Sequence, residues 1–183
     1  MGPDDFRELV DLVEARSTNL SSACHGPEHW KCVAFVGVGI AQECGHDTLV
    51  PLLFGLFHDA MRMNDHFDPG HGPRAGELVL ELAGTGGLSL AEPALADLFE
   101  ACKVHTRADP TERLPLGICL DADRVNLWRV SIRPQPRYLS TRQNWTTDWI
   151  ELARPLHGTI DSWDEVYEAY AAASRPLHPE GDK

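Results

Sequence analysis

The sequence predicts an all-α fold, a helical bundle formed by a single domain. Apolar residues recur at the three- and four-residue spacing of amphipathic helices along most of the chain, and alternating strand patterns are almost absent before Val130. The chain has 183 residues, of which 43% are hydrophobic and 24% charged, so it can bury one substantial core. No internal repeat or linker divides it.

Seven helices are expected in order along the chain. The first covers residues 4–16, where Phe6, Leu9 and Val13 have helical spacing. The second begins after Pro27 and runs to about Glu43, and it is apolar around most of its circumference, as a buried central helix is. The others are expected at about 48–63, 72–84, 91–106, 111–130 and 162–173.

After residue 130 the pattern changes. Residues 132–149, called the arm below, contain Pro134 and Pro136 and are rich in Arg and Trp, which predicts an extended segment. Two roles stay open for the arm, a lid over a site or a subunit contact in a homodimer. We expect one domain over 1–183, a short hairpin within 130–150, the arm and a last helix within 131–175, and a frayed tail from Pro176.

The composition narrows the classes of partner and compartment. A net charge of -12 and a pI of about 5.1 argue against a broad nucleic-acid interface, but they allow a small phosphorylated substrate. The 5 cysteines form no CxxC pair, and no signal-peptide pattern is visible at the N-terminus, so a reducing cytoplasm is expected. The longest apolar run, 49–57, is too short to cross a membrane.

Ionisable residues inside apolar helices indicate where chemistry takes place. His58 and Asp59 directly follow the apolar run, and a buried aspartate is costly unless it is paired or binds a metal. Taken alone, the pair is more readily explained by Asp59 as a helix cap or salt-bridge partner and His58 as a core histidine. Two further apolar helices carry comparable groups at His25 and His29, and at Asp121 and Asp123. Imidazoles and carboxylates that converge would form a mixed site for Mn, Mg, Fe, Co, Ni or Zn.

These three stretches resemble the signature of the HD superfamily of metal-dependent phosphohydrolases: a His on one helix, an adjacent His-Asp on the next, and a distant Asp. The resemblance covers roughly residues 20–130. It implies an HD-type helical bundle and the metal-dependent hydrolysis of a nucleotide or another small phosphate ester. The matching stretches are His25-Gly26-Pro27-Glu28-His29-Trp30-Lys31-Cys32-Val33, Leu56-Phe57-His58-Asp59 and Asp121-Ala122-Asp123-Arg124-Val125.

The resemblance implies a divalent metal held by His29, His58, Asp59 and Asp123. His29 is preferred over His25 because the first histidine of the family usually precedes an apolar residue by one turn. Asp123 is preferred over Asp121 because the family's last aspartate often lies in an Ala-Asp-Arg context. His25 would then contact a ligand residue or the substrate, and Asp121 would serve beside the metal ligands.

Two more histidines raise the question of a second metal ion. Some HD subfamilies bind a second ion through histidines at places comparable to His71 and His105. The C-terminal end of a helix explains His105 equally well, because a helix dipole favours histidine there. Asp59 and His58 are expected to be catalytic, and Arg74 and Arg124 to bind phosphate, since guanidinium groups bind phosphate in a bidentate manner. Arg62 is also close in sequence to the proposed ligands and suited to phosphate, but each of Arg62, Arg74 and Arg124 could instead form an ordinary ion pair with a nearby acidic residue.

The chemistry that the resemblance implies is hydrolysis, in which the metal polarises a phosphoryl oxygen and activates water. Asp59 would act as a ligand or a base, and arginines would neutralise developing charge. Two other functions stay open: a di-iron oxygenase on the same fold, which would need His71 and His105 as ligands, and a non-catalytic metal-containing binding module. No nucleobase-recognition motif, GxGxxG or P-loop is present in the sequence.

Overall fold

Eight α-helices and three short 3₁₀-helices build residues 1–174, the part of the chain that this computed structural model describes. No strand occurs within that range, so the predicted all-α class is confirmed, and the expected hairpin in 130–150 is wrong. None of the described helices is both long and apolar enough to cross a bilayer. The α-helices are α1 Pro3–Arg16, α2 Pro27–Glu43, α3 Leu49–Phe57, α4 His71–Thr85, α5 Glu92–Val104, α6 Leu114–Val125, α7 Trp149–Leu156 and α8 Trp163–Ala173.

Helix α2 is the centre of the core, as its apolar circumference predicts. Trp30, Val33 and Ile40 are all fully buried, and the helix packs against α3, α6, α7 and α8. Its contact with α3 is unusually close, because a Cβ atom on Gly55 would stand only 2.4 Å from the backbone nitrogen of Ala34. Glycine at this position therefore lets two helices that carry candidate ligands approach each other.

Several helix ends differ from the sequence prediction. Helix α3 ends at Phe57 and is followed by turns over 58–61, whereas a single helix to Met63 was expected. Helix α6 ends at Val125 and continues as a 3₁₀-helix, Asn126–Val130. Helix α7 was missed, and its eight residues include Pro155, which weakens any helical signal. The tail from Pro176 lies outside the described residues.

Two carboxylates fasten the irregular arm to the core. Asp121 on α6 accepts hydrogen bonds from the backbone N–H groups of Ser140 and Thr141 and from the Thr141 hydroxyl, at 2.7–3.0 Å. Glu43, at the end of α2, accepts hydrogen bonds from backbone and hydroxyl groups of Thr146 and Thr147. The arm is therefore held in place by one buried and one half-buried carboxylate rather than by pairing as a hairpin.

Candidate metal centre

Three elements bring the first group of candidate ligands together. His29 lies in the first turns of α2, His58 and Asp59 follow the last residue of α3, and Asp123 lies in the last turn of α6. Each of these helices packs against the other two. The side chains of His29, His58 and Asp59 are at most 2% exposed, and that of Asp123 is 15% exposed.

The ligand atoms of these four residues, the first donor set, face one another. The Nε2 atoms of His29 and His58 lie 3.1 Å apart. Asp123 Oδ1 lies 3.3 Å from His29 Nε2 and 4.0 Å from His58 Nε2. Asp59 Oδ2 lies 3.9 Å and 3.7 Å from the same two nitrogens. The four donors that the sequence predicted therefore surround one small volume.

A second donor set consists of Asp59, His71 and His105. The Nε2 atoms of His71 and His105 lie 2.9 Å apart, and Asp59 Oδ1 lies 3.1 Å and 3.7 Å from them. All three side chains are at most 3% exposed. Asp59 therefore belongs to both sets and presents a different oxygen to each. We call the two sets together the histidine cluster.

Local hydrogen bonds determine which ring nitrogen of His58, His71 and His105 is free to bind a ligand. His58 and His105 each follow a helix end, where their Nδ1 atoms lie 2.7–3.1 Å from carbonyl oxygens of the preceding turn. His71 Nδ1 lies 2.5 Å from the carbonyl oxygen of Asp68. Because a carbonyl only accepts hydrogen bonds, each Nδ1 carries the proton and the Nε2 lone pair points to the cluster. The helix-end explanation of His105 and the ligand explanation are therefore compatible.

Two buried polar atoms of the first donor set lack a hydrogen-bond partner among the described residues: His29 Nδ1 and Asp123 Oδ1. Leaving such groups unpaired costs about 1–3 kcal/mol each, and more for a charged group. A cation bound to Asp123 Oδ1 and the converging imidazole nitrogens would remove the cost for that oxygen. The donor chemistry, imidazole nitrogen with carboxylate oxygen, fits a divalent first-row metal or Mg.

The protonation states also suit metal binding. Burial lowers the pKa of His58 to about 4 and that of His29 well below its ordinary range, so both imidazoles are neutral at neutral pH. Burial raises the pKa of Asp59, but His58 and His105 outweigh it and hold that pKa well below the usual range. Burial likewise opposes Arg129 and His29, which lower the pKa of Asp123. Neutral imidazoles and charged carboxylates are the states that bind metals.

His105 differs from the histidines of the first set. Burial acts to lower its pKa, but the hydrogen bond and negative charge of Asp59 raise the pKa overall. The Nε2 atoms of His71 and His105 lie 2.9 Å apart, an arrangement that a proton or a metal ion between them would stabilise. The second donor set can thus take either cation, whereas burial disfavours a proton in the first set.

Two arginines lie within 4 Å of the cluster carboxylates. Arg129 Nη2 is 3.4 Å from Asp123 Oδ1, and Arg62 Nη1 is 3.8 Å from Asp59 Oδ1. Both guanidinium groups are fixed by backbone carbonyls, that of Arg129 by Cys24 and that of Arg62 by His66, at 2.7–2.8 Å. Sequence reasoning named Arg62 for phosphate binding but missed Arg129, which lies six residues after Asp123 in a short 3₁₀-helix.

Other predicted site residues lie elsewhere. The Arg124 guanidinium donates to the carbonyls of Ala108 and Tyr138, which occupy it away from the carboxylates of the cluster. The expected role of Arg124 in phosphate binding is therefore corrected to support of the arm. Asp121 also holds the arm, so its expected place beside the metal ligands is wrong for the same reason.

Arg74 and His25 remain close to the cluster without joining it. Arg74 donates to the Met61 carbonyl at 2.9 Å and pairs with Asp68 at 2.5 Å, so it braces the loop after His58 and Asp59. This ion pair replaces the expected contact between Arg74 and phosphate. His25 Nδ1 lies 3.2 Å from Asp65 Oδ1, and its ring centre is 6.5 Å from that of His29. His25 therefore stands beside the first donor set as an oriented, buried imidazole.

Comparison of the chain with protein-family models, with curated proteins and with solved structures finds no match. The features of this protein that indicate a function are therefore the residues of the histidine cluster, their burial and their charges.

Proposed function

We propose that this protein is a metal-dependent phosphohydrolase of the HD type that acts on a nucleotide or another small phosphate ester. The observation that carries the proposal is the shared carboxylate of Asp59, whose two oxygens face two different pairs of imidazole nitrogens. Paired divalent ions are a recurring device of phosphatases and nucleases. The order of the donors along the chain, His29, His58-Asp59 and Asp123, supports the HD assignment.

The charges around the cluster support an anionic substrate. With neutral imidazoles, the negative charges of Asp59 and Asp123 are balanced by Arg62 and Arg129. Any divalent ion bound there makes the region positive, although the whole chain carries a net charge of -12. A local positive site on an acidic protein attracts small anions and not extended nucleic acid.

Each residue then has a definable task. A bound divalent ion supplies Lewis acidity toward a phosphoryl oxygen and lowers the pKa of water. Arg129 and Arg62 are oriented by backbone carbonyls and can bind phosphoryl oxygens at fixed positions. Because Asp65 orients the Nδ1 atom of His25, the Nε2 atom is left to exchange a proton with the substrate or with water.

The Asp59→Asn variant tests the proposal. It removes a charged donor from both sets, so we expect metal content to fall and hydrolysis of a generic phosphate ester to drop by orders of magnitude. The fold should survive, since the substitution removes a buried charge. Metal analysis, a phosphate-ester screen and circular dichroism measure the three effects. Asp97→Asn, which changes a carboxylate on α5 outside both sets, is the matched control. Unchanged metal content and turnover in Asp59→Asn would refute the proposal.

A di-iron oxygenase is the second candidate, because the required His71 and His105 do lie together with Asp59. The two functions differ in metal and co-substrate. An oxygenase would be active only with iron and would consume O₂, whereas a phosphohydrolase would release inorganic phosphate under anaerobic conditions with Mn or Mg. The two arginines beside the carboxylates favour the phosphohydrolase, since guanidinium groups suit phosphate.

A further inference from the structure

A cavity of about 220 Å³ opens beside the second donor set. His71 forms part of its wall, and Arg62, Arg107 and Phe67 are among the other residues that line it. It is smaller than the roughly 300–1,000 Å³ of sites for drug-sized ligands, so it suits a compact molecule. Because His71 also belongs to the histidine cluster, a ligand in this cavity would lie next to the candidate metal ligands.

Phe67 is presented to solvent by a loop that is held at several points. Its side chain is 86% exposed, which leaves the face of the ring available for stacking. Asp68 accepts hydrogen bonds from the backbone N–H groups of Met63 and Gly70, at 3.0 Å and 3.2 Å. The Arg62 guanidinium also donates to carbonyls within this loop. The backbone that carries the ring is therefore held in place, so a ligand that stacks on Phe67 has to order its side chain and not the loop.

Arg107 supplies an exposed positive charge on the same cavity. It lies two residues after His105, and it forms no ion pair with any carboxylate in residues 1–174. Arg113, by contrast, pairs with Asp97. Asp68 also lines the cavity, but its carboxylate pairs with Arg74, so the charge of Arg107 is available to an anionic ligand there.

We propose that this cavity is the substrate subsite, in which Arg107 and Arg62 hold the phosphoryl group and Phe67 stacks on a flat ring of the leaving alcohol. The substrate class is then a phosphate ester of an alcohol that carries a planar apolar ring. This inference rests on the proposed phosphohydrolase function, and it goes beyond it by assigning the specificity to Phe67 and Arg107, residues outside both donor sets.

Binding of two phosphonates that cannot be hydrolysed tests the subsite without depending on turnover. Phenylphosphonate carries a ring and methylphosphonate does not, and both are titrated by calorimetry into the Mn-loaded full chain. We expect the wild type to bind phenylphosphonate about tenfold more tightly, as aromatic stacking typically allows. Phe67→Ala should remove this preference without weakening methylphosphonate binding. Phe67→Trp should restore it, whereas Phe67→Leu, apolar but not flat, should restore it only in part.

Arg107→Gln should weaken the binding of both phosphonates about tenfold, because it removes a charge that binds the phosphonate group they share. The ratio of the two dissociation constants should not change. Met63→Ala is the control for Phe67, since Met63 is 68% exposed in the same loop but does not line the cavity. Arg133→Gln, an exposed arginine of the arm, is the control for Arg107. Neither control should alter binding.

Hydrolysis of 2-naphthyl phosphate and glycerol phosphate is measured separately, so that the two proposals can fail independently. Equal binding of the two phosphonates by the wild type, no binding of either, or a ring preference that survives Phe67→Ala would overturn the subsite. If any of these results is found but both esters are hydrolysed, the subsite is wrong and the proposed phosphohydrolase function is still supported. Binding of phenylphosphonate that depends on Phe67, without hydrolysis of any ester, would support the subsite and remove the proposed activity.

Discussion

The arm and the histidine cluster both place carboxylates inside the protein, but the two regions stabilise them differently. Asp121 is saturated by N–H and O–H donors of the arm, at 2.7–3.0 Å. Asp123, only two residues later on the same helix, has a buried oxygen with no hydrogen-bond partner in the described part of the chain. A carboxylate that the protein satisfies is structural, whereas one left facing imidazoles and a guanidinium group is prepared for a ligand.

The matched pair Asp121→Ala and Asp123→Ala should give the largest contrast. Asp123→Ala removes a proposed metal ligand, so we expect metal affinity to fall by at least about 100-fold, because replacing even a residue that only orients ligands costs 10- to 100-fold. Asp121→Ala should leave metal affinity unchanged and lower the free energy of unfolding by about 1–3 kcal/mol, since it leaves buried donors of the arm unpaired. Calorimetric metal titration and urea unfolding of both variants measure the two effects. The same loss of metal affinity in both variants would contradict the distinction.

Arg62→Gln tests whether the positive charge of Arg62 weakens metal binding in the second donor set. Arg62 Nη1 lies 3.8 Å from Asp59 Oδ1 and 3.2 Å from His71 Nε2, so its charge opposes a cation in the second donor set. Removing it should raise metal affinity in that set roughly tenfold, or about 1.4 kcal/mol. Titration with Mn should then show a tighter second equivalent. Arg74→Gln is the control, because Arg74 pairs with Asp68. If the second equivalent of Mn binds no more tightly to Arg62→Gln than to the wild type, the charge of Arg62 does not affect metal binding in the second donor set.

The smallest expected effect is a pH dependence in the arm. Burial acts to raise the pKa of Glu43, but hydrogen bonds from Thr147 and Thr146 lower it to about 2. Because the folded-state pKa is depressed, the stabilisation by Glu43 is present above its unfolded pKa of about 4.5 and is lost as the pH falls toward 2. Wild type should therefore exceed Glu43→Gln in stability at pH 7, and the difference should shrink between about pH 4.5 and 2.

Urea midpoints of wild type and Glu43→Gln across that pH range measure this difference in stability. Contributions from the histidine cluster are the same in both proteins and cancel. Glu151→Gln, which changes an exposed glutamate that pairs with Arg133, is the control. A constant difference between wild type and Glu43→Gln from neutral pH down to pH 2 would show that the carboxylate charge does not hold the arm.

The sequence predicts the helices where they are amphipathic or apolar, and it is less informative where contacts with distant residues determine the structure. Helix α2 has the predicted bounds, since Pro27 marks its start and its apolar residues continue to its end. Helix α7 contains Pro155, and the arm is ordered by distant carboxylates rather than by local pattern. Such contacts cannot be seen in a window of neighbouring residues.

The members of the histidine cluster could be picked out from the sequence only in part. Apolar flanks made His58 and Asp59 conspicuous, and the resemblance selected His29 and Asp123. Residues two apart on a helix do not share a face, so only one of Asp121 and Asp123 can reach the cluster, but which one depends on how α6 is packed. Arg129 carried no signal, because an arginine in an irregular segment looks the same whether it faces solvent or a carboxylate.

Gly55 has a consequence for the range of ions that this protein can accommodate. A side chain there would meet the backbone of Ala34 at 2.4 Å, so helices α2 and α3 are in direct backbone contact, and both also pack against α6. The spacing between His29 and His58 is therefore inherited from backbone contact and not from the ligands. A larger ion such as Ca²⁺, which takes about six to eight oxygen ligands, would require this backbone contact to open and more oxygen donors. We therefore expect a change of metal preference to follow from exchange of donor residues and not from movement of the helices.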